Sequence, residues 1–243
     1  MTSPEKRMEI IERSSPNFGP RRDGLRPELV VLHHTAMLTA EAALERLCDP
    51  AAEVSAHYLV AEDGRTWRLV PETGRAWHAG TGSWGGAGDV NSRSIGIELA
   101  NAGPLAGFPP FPEPQMAALE TLLDGIMARW SIPPAGVIAH SDMAPERKSD
   151  PGPKFDWRRL ALGGRAVWPD ADDTEPAPSA GWDHFRAAAH AAGYAAPAGD
   201  WGLVLAAARL RFRPWAAGAP DPAPDSTDVA AMRACVDRRR VPT

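Results

Sequence analysis

The chain has 243 residues, 44% of them apolar and 23% charged, with a net charge of −5. That length holds one large domain, or one domain and a small appendix, around a sizeable core. The acidic balance argues against binding along a phosphate backbone, which needs clustered positive charge.

The first 22 residues, MTSPEKRMEIIERSSPNFGPRR, mix acidic and basic groups and contain no apolar h-region. They read as neither a signal peptide nor a lipoprotein leader, and no run approaches the ~18 apolar residues of a membrane span. The expected location is therefore the cytoplasm. Cys48 and Cys235 lie far apart in sequence and are not expected to form a bridge.

Leu29 to His34 reads as a short buried strand, and the Thr39-led segment TAEAALERLCDP as a helix stopped by Pro50. HYLVAEDGRTWRLV predicts a hairpin around Asp63-Gly64, a common tight-turn pair. Ser94 to Leu99, SIGIEL, is another strand. From Pro114 onward, Met116, Leu119, Leu122, Leu123, Ile126, Met127 and Trp130 recur at three- and four-residue steps, the mark of one apolar helix face. Pro133 and Pro134 then break the chain before GVIAH, a strand that would deliver His140. Strands interleaved with helices predict an α/β domain, a central mixed β-sheet flanked by helices, over residues 1–168.

Composition changes after Trp168. Residues 169–180 are rich in Pro and Asp and read as a linker. Residues 181–243 carry three helical patterns, Trp182 to Ala192, Trp201 to Arg213 and Thr227 to Arg239, which suit a small three-helix domain.

Histidines stand at the ends of two of the predicted strands: His33 and His34 in one, His140 in the other. Asp150 follows His140 by ten positions in a DPGP segment, where it could equally cap a turn. Two histidines and a carboxylate suffice for a catalytic zinc that keeps one position open for water. Adjacent strand residues face opposite sides, so only one of His33 and His34 can point at a shared site, and periodicity does not choose between them. Glu98 interrupts an apolar strand and needs a partner, a task or a solvent-facing position. Lys148, within ERK, reads at face value as a surface charge. If the site is real, Glu98 suits a general base and Lys148 an oxyanion partner. No HExxH helix points to a zinc peptidase.

In order along the chain, VVLHHT, SAHYLV, AWHAG, NSRSIGIEL and AHSDMAPERKSDPGP resemble the type 2 N-acetylmuramoyl-L-alanine amidases, zinc enzymes related to peptidoglycan recognition proteins. The resemblance covers roughly Glu28 to Pro169, and the ordered set of five motifs is far more specific than any one of them. It implies zinc (Zn2+) on His33, His140 and Asp150, with Glu98 and Lys148 catalytic; His34 falls where relatives often carry tyrosine or another residue. It also implies a groove wall near Trp77 and His78 and a packed His57; Asn91 and Arg93 either fix that loop or touch the peptide stem as further substrate contacts. The implied reaction is hydrolysis of the lactyl–L-alanine amide of peptidoglycan fragments, including anhydro-muropeptides in cell-wall recycling. A non-catalytic peptidoglycan sensor is the alternative, although an intact catalytic set favours an enzyme. The tail resembles a three-helix peptidoglycan-binding module; a plain bundle around Trp182, Phe185, Leu205, Leu210 and Phe212 accounts for it nearly as well. The expected partner is a peptidoglycan or muropeptide substrate, bound by a monomer.

Overall fold

The run Leu29–His34 contains two adjacent valines between leucines, a composition that fits a strand covered on both faces. It is the strand β3, and Val30, Val31 and Leu32 are entirely buried in it. The structure, a computed structural model, describes residues 9–169, 181–216 and 223–237. Around β3 run β1 (Ile10–Glu12), β2 (Phe18–Pro20), β4 (Tyr58–Val60), β5 (Thr66–Arg68), β6 (Gly74–Ala76), β7 (Ser94–Leu99) and β8 (Val137–Ala139). The main sheet has the order β1-β5-β4-β7-β3-β8, and β2 pairs separately with β6. β3, β4, β7 and β8 run parallel, whereas β5 is antiparallel to β4 and parallel to β1, so the sheet is mixed as expected.

The helices are α1 (Ala40–Cys48), α2 (Val90–Arg93), α3 (Glu113–Trp130), α4 (His140–Met143), α5 (Trp157–Leu162), α6 (Trp182–Ala191), α7 (Trp201–Phe212) and α8 (Ser226–Asp237). Thr39 caps α1 by accepting a hydrogen bond from Ala42 N at 3.1 Å. The apolar stripe of α3, including Leu119, Leu122, Leu123 and Ile126, packs with Val30, Leu32, Ile95 and Ile97 of the sheet. The hairpin expected at Asp63-Gly64 forms, and Gly64 lies at φ +88°, where a side chain would meet the Pro114 carbonyl at 2.8 Å. The turn closes through Ala61 N to Arg65 O at 2.9 Å.

The other sheet face is covered in two places. α1 packs there with Leu59, Trp67 and Leu69. Leu29, Val31 and Ile138 share a cluster with Phe185, Val204, Leu205, Val229 and Met232 of α6, α7 and α8. The apolar interior thus runs from the sheet into the tail helices. Most of the expected linker, residues 170–180, lies outside the described residues, as do residues 238–243. Cys48 and Cys235 are not bridged. Among the described residues no helix is long and apolar enough to cross a membrane.

Candidate metal centre

The parallel pairing of β3 with β7 and β8 brings three chain ends to one place. Register sets His33 beside Glu98, and Leu32 beside Ala139, so the residues that follow, His33 and His140, emerge at the same edge. His140 does not end the strand, as expected from GVIAH; it opens α4, because the chain turns helical directly after Ala139. Ser141 N donates to Asp150 O at 3.1 Å, which folds the intervening loop back and returns Asp150 to His140.

His33 Nδ1 lies 2.8 Å from His140 Nδ1, and both lie 3.0 Å from Asp150 Oδ2. All three residues are buried, and their donor atoms could hold a metal ion. Hydrogen bonds behind the rings decide where the protons sit. Ser94 Oγ donates to Val90 O at 2.6 Å, so it accepts from His78 Nε2 at 3.2 Å. His78 Nδ1 is then the acceptor for His33 Nε2 at 3.0 Å, and His33 Nδ1 keeps its lone pair. His140 Nε2 donates to Ala79 O at 2.9 Å, which leaves its own Nδ1 with a lone pair. Two imidazole lone pairs and a carboxylate oxygen therefore converge with no proton between them, the donor set a zinc ion takes.

Charge supports the same assignment. Burial, then His140, pushes His33 down to about 4, and burial followed by His33 holds His78 well below the usual histidine value. Burial alone would raise Asp150, but its contacts with the His140 and His33 rings outweigh it and hold the carboxyl well below its ordinary range. The His33 and His78 rings are thereby kept neutral and the Asp150 carboxylate charged near pH 7, as a cation requires.

A groove of about 230 Å³ opens over these atoms, lined in part by Trp77, Glu98, Lys148, Met37 and Arg46. Glu98 Oε2 is buried there without a hydrogen-bond partner among the described residues. Lys148 is exposed at the rim. A larger cleft of about 600 Å³, lined by Tyr58, Arg68, Glu72 and Arg129, lies elsewhere. Of its two carboxylates, Glu12 pairs with Arg68 and Glu72 is held by Tyr58, Arg129 and Trp130, so both read as structural.

The structure thus resolves the choice left open by periodicity: His33 joins the cluster, while His34 turns its ring towards Phe108, with ring centres 6.1 Å apart. Trp77 lines the groove. His78 lines it too, but both its ring nitrogens are engaged by His33 and Ser94, so it stands behind a cluster residue rather than offering a free polar group to substrate. Of the two roles open to Asn91 and Arg93, the contacts favour the loop, since neither lines the groove. Asn91 Oδ1 accepts from His78 N and Ala79 N, and Arg93 binds Glu28 and the carbonyls of Trp84 and Ala87, so both fix the loop. His57 is packed, with Nδ1 accepting from Gly96 N at 2.9 Å. Sequence reasoning missed Gly96. A Cβ there would meet the His78 ring at 2.4 Å, and a glycine inside a strand was the available signal for such a close approach.

In the metal-free protein, burial and then the Asp150 charge push Glu98 up to about 8, against an opposing pull from Lys148. A carboxyl with a raised folded pKa stabilises the fold fully below the ordinary glutamate range and loses that contribution as pH rises through about 8. Metal-free wild type should lose stability over that interval, and E98Q should lose less. Urea midpoints at about pH 5 and about pH 9 check this, and an equal pH response in both proteins contradicts it.

Comparison with known proteins agrees with this geometry. A family model for N-acetylmuramoyl-L-alanine amidases, Amidase_2, matches residues 23–153. The N-acetylmuramoyl-L-alanine amidase AmiD of Escherichia coli is 43% identical over 178 residues, which are 67% of this chain and span 63% of AmiD's own length. The 1,6-anhydro-N-acetylmuramyl-L-alanine amidase AmpD of Citrobacter freundii is 35% identical over 60% of this chain and 85% of its own. The structure of E. coli AmiD with anhydro-N-acetylmuramic acid-L-Ala-D-γ-Glu-L-Lys superposes with a TM-score of 0.77 at 34% identity, covering 93% of each chain. AmpDh3 of Pseudomonas aeruginosa with an anhydromuramic pentapeptide gives a TM-score of 0.76 at 29% identity, covering 99% of this chain and 100% of that one. With the matched segment exceeding half its length and carrying the whole buried cluster, this chain belongs to the Amidase_2 family of N-acetylmuramoyl-L-alanine amidases.

Proposed function

We propose that the chain hydrolyses the amide between the lactyl group of a muramic acid and L-alanine, with soluble anhydro-muropeptides as substrate. The observation that carries the reading is the convergence of His33 Nδ1, His140 Nδ1 and Asp150 Oδ2 beneath a groove that also holds Glu98 and Lys148. The ligands bound in the AmiD and AmpDh3 structures support the choice of substrate.

In this mechanism His33, His140 and Asp150 would hold a zinc ion. Bound there, zinc supplies Lewis acidity to a water and to the amide carbonyl. Glu98 takes the proton of the attacking water and passes one to the leaving amine of L-alanine. Positive charge bound at the cluster would lower the raised pKa of Glu98 and so favour the carboxylate that acts as base. Lys148, at the rim, faces the negative charge that develops on the carbonyl oxygen. Trp77 gives the peptide stem an apolar wall.

Incubation of zinc-loaded protein with anhydro-N-acetylmuramyl-tripeptide, followed by mass analysis, tests the reading. Free tripeptide is expected from wild type, and E98Q should keep its zinc while losing about 10²–10⁴-fold in rate. Near-full activity of zinc-loaded E98Q refutes the role of Glu98, whereas wild type that binds the muropeptide without turnover is a sensor. The hydrogen-bond relay behind His33 makes a separate demand. H78A should weaken zinc about 10–100-fold in competition with a chromophoric chelator, because His33 loses the partner that fixes its tautomer. An unaltered affinity would rule the relay out.

A further inference from the structure

The tail helices reach the metal cluster through one buried carboxylate. Asp142, in α4, is 1% exposed and lies two residues after His140. Its Oδ2 accepts from Ala139 N at 2.8 Å, so it clamps the peptide directly before His140. The same oxygen accepts from Arg211 Nη1 in α7, and Oδ1 accepts from the Tyr194 hydroxyl at 2.7 Å. Among the described residues, the hydrogen-bond partners of this carboxylate beyond its own turn thus come from the tail.

Arg211 and Tyr194 are themselves fixed on the catalytic side. The Arg211 guanidinium stacks 4.0 Å from the centre of the Trp157 ring, and its Nη2 donates to Val137 O at 3.3 Å. Tyr194 meets Trp84 edge to face at 4.9 Å, and Gly85 N donates to Gly193 O at 2.9 Å beside it. Arg211, Tyr194 and Asp142 are all buried, so water does not replace a lost contact. α4 also carries the Ser141 N–H that binds Asp150 O. A shift of this short helix therefore moves both His140 and Asp150 relative to His33, which sits on a separate strand.

We propose that the C-terminal helices act on the metal centre as a brace, with Arg211 and Tyr194 as positioning residues that hold Asp142, and through it His140 and Asp150, in register with His33. The proposal rests on the zinc assignment above for its functional consequence, though not for its structural one. It gives the tail a task inside the catalytic site, whether or not the helices also touch glycan.

The test compares wild type, R211M and Y194F as full-length protein, with hydrogen exchange of residues 137–144 in the metal-free state and zinc affinity by chelator competition. In R211M, exchange in that segment should rise at least about tenfold while β3 and α3 keep their protection, and zinc should bind about tenfold more weakly. Y194F should move both readouts in the same direction by less. Exchange in 137–144 that stays within about twofold of wild type, or that rises equally along the whole chain, overturns the brace, as does an unaltered zinc affinity. If R211M does not fold, Y194F decides by the same criteria, since it removes only a hydroxyl. Wild type that binds no zinc would refute the zinc assignment, and the exchange comparison would still decide the brace.

Discussion

Three electron pairs facing one point, with the protons drawn off behind them, are the constraint on which the rest of the molecule depends. His33 Nδ1, His140 Nδ1 and Asp150 Oδ2 lie within 2.8–3.0 Å of one another in a buried site. Such an arrangement is costly unless a cation occupies it, because each atom is an acceptor removed from water. The remaining features are what keep these atoms there. Parallel register delivers His33 and His140 to one sheet edge, and the Ser141–Asp150 hydrogen bond folds the loop that returns the carboxylate. The Ser94–His78 relay and the Ala79 carbonyl remove the protons from the inward nitrogens.

Several features that look independent follow from that demand. Gly96 lacks a side chain because the His78 ring occupies its space. Asn91 is buried because its amide oxygen holds the backbone at His78 and Ala79, the two residues that serve the histidines from behind. Arg147 donates to Ala79 O at 2.5 Å and also to the Thr81 carbonyl, so the His140 loop and the His78 loop are tied at the same carbonyl that anchors His140. Glu98 stands apart from this network, with an unpartnered oxygen in the groove, as suits a group whose partner arrives with the substrate.

Much of this was legible in the sequence, for physical reasons. β3 and β7 fall on the bounds expected from their apolar runs, since fully buried strands leave little choice of composition. α3 shows in the three- and four-residue spacing of its stripe. β1, β2 and β6 were not legible: each is three residues long and depends on a partner far away in sequence. The cluster residues could be listed from strand ends and motif order, yet which of His33 and His34 faces inward needed the structure. His78 reads as a groove residue, and Asn91 and Arg93 as loop or groove residues, because their motifs adjoin the site; the hydrogen bonds show what each of them holds. The tail read as a separate bundle because its helices carry an apolar set of their own. That Leu29, Val31 and Ile138 complete their cluster is a long-range fact that no local pattern carries.

The central claim is that the two inward Nδ1 atoms and Asp150 bind one zinc ion. A crystal of protein purified without chelator, with diffraction recorded on both sides of the zinc absorption edge, tests it most directly. A single strong anomalous peak bonded to His33 Nδ1, His140 Nδ1 and Asp150 is the predicted result. No peak, or a metal held through the opposite ring nitrogens, would contradict the account.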